Sequence, residues 1–157
     1  MANKNIIMTP GRKAAYTRKR RRASESAHQT GRWAKIMTKW LASYSSKGGK
    51  RWQFVSFEGP KGGESRGIVD IIAIRKDHKF SKKPLKIGDL FEIILIQVKG
   101  GSAPMPSSEE ILRLSKVGEY YHAKRTILAI WKKGKEPTLY SLVNSSWEKI
   151  DANDAFK

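Results

Sequence analysis

The residues best suited to chemistry in this sequence are Asp70, Gln97 and Lys99. The stretch Phe91 to Gly101 is dense in β-branched and aromatic residues and ends on two glycines, so it reads as a strand. Most of it is apolar on both faces, as a strand covered on both sides is. Gln97 and Lys99 stand at its end and share a face, because side chains alternate along a strand. Asp70 is the acid in a second strand-like run, Gly67 to Arg75. Polar groups at the ends of buried strands are costly to desolvate unless they have partners or a task. A task these types suit is cutting a phosphodiester with a hard divalent cation. Mg²⁺, or Mn²⁺ in its place, takes oxygen ligands and keeps several waters. It polarises the phosphate and lowers the pKa of a bound water. Asp70 would be the anionic ligand, with the Gln97 side-chain carbonyl and the Val98 backbone carbonyl as neutral ones. Lys99 could orient or deprotonate the water, or offset transition-state charge.

Those strands need a fold to hold them, and 157 residues suffice for one domain with a real core. The formal net charge of +18 points to a polyanionic partner, nucleic acid before an anionic membrane surface. No run approaches the ~18–20 apolar residues of a membrane span, and the N-terminus lacks the apolar core of a secretory signal. The chain has no cysteine, which excludes disulfides, zinc–thiolate sites and a Cys nucleophile and fits the cytosol. A DNA-binding protein there would be nucleoid-associated. His28, His78 and His122 have no metal-ligand spacing.

Residues 1–23 read as a flexible basic arm, with Arg12, Lys13, Arg18, Lys19, Arg20, Arg21 and Arg22 able to lie on phosphates. A folded domain spans 24–150, and 151–157 reads as a C-terminal tail. Ser26 and Gln29 suggest a capping box, followed by Trp33, Ile36, Met37, Trp40, Leu41 and Tyr44 as an apolar stripe at the helical period. Core packing is the expectation for those aromatics. Strands follow at Trp52 to Phe57, at Gly67 to Arg75 after a glycine-rich loop, and at Phe91 to Gly101. Ser107 and Glu110 form a second capping box, opening a helix to about Ala123. Strands at Thr126 to Trp131 and Thr138 to Val143 follow, and the end from Asn144 onward is expected to be helical or frayed. Glu92 reads as structural. The order α-β-β-β-α-β-β predicts an α/β protein with a mixed central sheet flanked by helices.

This order resembles the PD-(D/E)xK nuclease superfamily, with an acid in the second strand and a Gln-x-Lys triplet in the third. Gln-Val-Lys is similar to the variant in Mrr-type restriction endonucleases, and the glycine-rich approach is like that of archaeal Holliday-junction resolvases. The resemblance covers about Glu25 to Trp131. It implies a restriction-endonuclease-like core and a Mg²⁺-dependent DNA endonuclease, structure-selective if it follows the resolvases, which are generally homodimers. Asp70 then matches the metal-binding acid, Gln97 the second ligand position and Lys99 the catalytic lysine. Val69, not proline, precedes Asp70, and no acid lies between Gly31 and Lys39, where many members carry a first-helix Glu. Glu25, Glu58 or Glu64 would have to supply that third acid. Lys61 and Arg66, in the glycine-rich loop, join the arm as DNA contacts. A non-catalytic nucleic-acid-binding protein on the same fold is the alternative.

Overall fold

A computed structural model of the chain describes residues 10–45, 52–59 and 67–157. Lys61, Glu64 and Arg66 lie outside the described residues. The elements run α1 (Pro10–Ser45), β1 (Gln53–Ser56), β2 (Ile71–Lys76), β3 (Phe91–Gly100), α2 (Ser108–Tyr120), β4 (Arg125–Trp131), β5 (Thr138–Val143), β6 (Ser146–Ile150) and α3 (Ala152–Ala155). The six strands form one sheet in sequence order. Neighbours pair antiparallel except β3 and β4, which run parallel because α2 crosses between them. The fold is therefore α/β with a mixed sheet, as the element order predicts.

Two layers cover the sheet. On one face Ile71, Ala73, Ile94, Ile96, Ile127, Ala129 and Leu139 are buried together with Ala42 of α1 and with Ala155 and Phe156. Burying such side chains is the main stabilising term, each contributing about 1.5–3 kcal/mol for a residue of Leu or Ile size. On the other face Thr126 lies against Gly118 of α2, where an added Cβ would stand 2.8 Å from its hydroxyl. The β3–β4 register pairs Leu95 with Thr126, Gln97 with Leu128 and Lys99 with Ile130, so these residues belong to the α2 side. Val98 and Gly100 point toward α1.

The structure corrects several expectations. α1 starts at Pro10, not at Ser26, so the basic residues Arg12 to Arg22 are helical rather than an irregular arm. Arg, Lys and Ala are strong helix formers, and Ser26 is an interior residue rather than a cap. The buried stripe of α1 is Ala34, Thr38 and Ala42, with Leu41 of the expected stripe packed beside it, whereas Trp33, Ile36, Trp40 and Tyr44 are exposed. Close approach explains the exchange. A Cβ at Gly100 would stand 3.2 Å from Thr30 and 3.3 Å from Ala34, so only small residues fit between helix and β3.

The C-terminal residues form β6 and α3, not a frayed end. Asn144 and Ser145 both take positive φ, as a two-residue hairpin turn with the twist of its strands requires. Residues 151–157 pack into the fold: Phe156 is buried, and its carbonyl accepts a hydrogen bond from Trp52 Nε1 at 2.7 Å. Glu92 is structural, as expected. Its carboxylate pairs with Arg75 and with Lys124, and both cations also donate to the Lys157 carbonyl. Burial pushes the Glu92 carboxyl up, but Lys124 and Arg75 more than reverse this and leave it below its ordinary value.

Candidate functional site

Asp70 stands one residue before β2 rather than inside it. Its backbone already belongs to the sheet: its N–H donates to Ile96 O and its carbonyl accepts from Phe57 N, both at 2.9 Å. Its carboxylate takes the Val98 N–H at 2.8 Å through Oδ2. A side-chain oxygen thus replaces a backbone acceptor where the β2–β3 ladder ends. The other oxygen faces Lys35 of α1, with Nζ at 3.5 Å from Oδ1. Lys35 also donates to the Phe57 carbonyl at 3.1 Å, which ties α1 to the end of β1. Lys35 is thus a site residue that sequence reasoning passed over. It lies off the large apolar stripe, and nothing local marks which surface lysine meets an acid 35 positions later.

Gln97 and Lys99 share a face, as alternation requires, and both reach Glu110 of α2. Lys99 Nζ lies 3.0 Å from Glu110 Oε1, and Gln97 Nε2 donates to the same oxygen at 3.4 Å. The second oxygen of Glu110 accepts from Ser107 N at 2.8 Å, completing the capping box. Hydrogen bonding to the Ser107 backbone, then to Lys99, holds the Glu110 carboxyl below its ordinary range. The capping box was readable, but the link from Glu110 to Lys99 was not, since it depends on where α2 docks. Gln97 Oε1 is buried with no hydrogen-bond partner among the described residues.

A cleft of about 780 Å³ opens where α1 passes the ends of β2 and β3. Asp70, Val98, Lys99, Lys35 and Glu58 line it, with Arg32 and His28 from the helix and the loop 100–103 closing one side. The expected constellation is therefore only partly assembled. Asp70, Val98 and Lys99 share this cleft, whereas Gln97 is buried on the α2 side and does not line it. Glu58 faces the same cleft as Asp70. Glu25 does not line it and is paired instead with Arg21 at 2.9 Å on the exposed helix surface.

The donors present suit a hard cation. Asp70 and Glu58 offer carboxylates and Val98 a carbonyl, whereas the unsatisfied Gln97 amide oxygen is buried on the α2 side. Among the described residues no three His, Cys, Asp or Glu side chains are grouped as a ready metal cage, and no helix is long and apolar enough to cross a membrane. Comparison with protein-family models, curated proteins and solved structures finds no match to this chain.

Proposed function

We propose that this chain is a metal-dependent DNA endonuclease on a restriction-endonuclease-like core. The observation that carries the reading is the cleft in which Asp70, Glu58, Lys35 and Lys99 meet beside a strongly basic helix. Asp70 and Glu58 would hold Mg²⁺ or Mn²⁺, with the Val98 carbonyl as a neutral donor. The cation, when bound, supplies Lewis-acid polarisation of the phosphate and a water of lowered pKa. The chain's own cations have separate work. Lys35 can exchange its contact with Asp70 for a phosphate oxygen and so position the backbone. Lys99, oriented by Glu110, can take or return a proton at Nζ or offset charge on the phosphoryl oxygens.

Cleavage of linear and branched DNA in Mg²⁺ and in Mn²⁺, at matched salt, tests the proposal. Wild type should cut, and Asp70→Ala should lose cleavage but keep DNA binding, because binding rests on Lys and Arg contacts to phosphate. Lys99→Ala should cost on the order of 10²–10⁴ in rate if it transfers a proton. Gln97→Glu should set a second carboxylate against Glu110 and lower stability without adding a ligand to the cleft. Cleavage by Asp70→Ala at the wild-type rate would move the site elsewhere.

The Lys35–Asp70 and Lys99–Glu110 ion pairs favour a second reading, a non-catalytic nucleic-acid-binding protein whose acid and lysine are both internally neutralised. Tight DNA binding by wild type, with no cleavage in either metal on any of these substrates, would select it.

A further inference from the structure

Trp33 and Trp40 stand 48% and 52% exposed on α1, on the side turned away from Ala34, Thr38 and Ala42. Ile36 and Tyr44 continue the same exposed stripe, and Trp40 stacks on Tyr44 with centroids 5.4 Å apart and planes 19° from parallel. Large aromatic side chains left in water on a well-formed helix mark a binding surface. From Trp33 to Tyr44 the stripe spans about 16 Å at 1.5 Å per residue.

Charge selects the occupant. The acid carried by α1 is Glu25, already paired with Arg21, against a long series of Arg and Lys. A second copy of this helix would meet like charge, whereas a polyanion is complementary. The aromatic character argues for flat rings rather than acyl chains: Ile36 is the aliphatic member of the exposed stripe. Bases of a duplex are stacked on one another and unavailable, but every base of a single strand has a free face.

We infer that the outward face of α1 binds single-stranded nucleic acid, stacking bases on Trp33 and Trp40 while flanking Arg and Lys track the phosphates. The inference shares a nucleic-acid partner with both readings above and is independent of whether the cleft catalyses.

The test uses the full chain carrying Asp70→Ala, in chelator, with a labelled single-stranded oligonucleotide and the matching duplex measured by fluorescence anisotropy. Trp33→Ala and Trp40→Ala should each weaken single-strand binding by roughly 5- to 150-fold, the range for losing one stacked base. Duplex affinity should change little, and Trp40→Phe should restore most of the loss. Unchanged circular dichroism would show that the helix persists. Equal losses on single strand and duplex, or no loss on either, would overturn the inference. So would single-strand affinity that is unchanged while the variants abolish self-association or binding to phosphatidylglycerol vesicles. Absence of cleavage by the wild type would leave this result standing, and failure of the stacking test would leave the cleavage assay standing.

Discussion

Glu110 divides its carboxylate between a helix cap and an ion pair, and this sets how the site responds to acid. One oxygen accepts from Ser107 N and the other from Lys99 and Gln97. Its folded carboxyl is held below the ordinary value, first by the Ser107 backbone and then by Lys99. A depressed carboxyl stabilises the fold fully above its unfolded pKa of about 4.3, and that contribution fades as pH falls through the folded value. Glu110→Gln should therefore be less stable than wild type at neutral pH, with the gap closing as the pH falls through the folded value. Urea midpoints measured across that range check the sign; a constant gap would mean that packing, not charge, is lost. Glu92 adds to the same acid sensitivity through Arg75 and Lys124. Asp70 marks the limit of reading a residue from its neighbours in sequence. Its acid type and its proximity to the end of β3 were legible, because two apolar runs can only pair in a few ways. Its place one residue outside β2 was not, because the carboxylate itself ends the ladder by taking the Val98 N–H.

At the scale of elements, the period of α1 was visible but its orientation was not. The helical pattern identified a stripe of large apolar residues, and the expectation that this stripe packs in the core is natural when burial scales with apolar area. Of that stripe Leu41 does pack against the core, but the fully buried positions are the small ones, Ala34, Thr38 and Ala42, because α1 crosses β3 closely at Gly100. The opposite case is α2, whose capping box places its start correctly at Ser107 with no tertiary information. The C-terminal hairpin was missed because its turn is Asn-Ser rather than the stronger Asn-Gly signal. The close crossing makes a specific prediction. Gly100→Ala forces a methyl against the Thr30 carbonyl and the Ala34 side chain, where neither helix backbone nor strand can yield freely. Overpacking of this kind typically costs about 1–3 kcal/mol, and it should be read as a lowered denaturation midpoint with an unchanged slope. Gly134→Ala, where no atom lies within 4 Å but φ is +78°, should lose stability through backbone strain alone. Combining Gly100→Ala with Ala34→Gly should recover part of the first loss and none of the second.

Across the whole molecule the charge is unevenly placed. The net charge of +18 belongs to the chain, but much of the excess sits on α1, where Arg12, Lys13, Arg18, Lys19, Arg20, Arg21, Arg22, Arg32, Lys35 and Lys39 share the helix with one acid, Glu25, which pairs with Arg21. From Pro10 to Gln29 every residue of this helix is exposed, so its first half projects from the sheet rather than supporting it. Stability then depends on the sheet and on Phe156 and Trp52 closing its far end, while polyanion affinity depends on the projecting helix. The two properties should separate experimentally. Replacing Arg18, Lys19, Arg20 and Arg22 together by Gln leaves helix propensity nearly unchanged and relieves like-charge crowding one turn apart. Thermal stability should stay close to wild type. Binding to duplex DNA should weaken, and the dependence of log K on log salt should become shallower by about 0.9 for each phosphate contact removed, or about 0.7 on a single strand. Arg21 is left in place because it pairs with Glu25. An unchanged salt slope with intact folding would show that the projecting half of α1 does not lie on phosphates, and would confine the interface to the cleft and the aromatic face of α1.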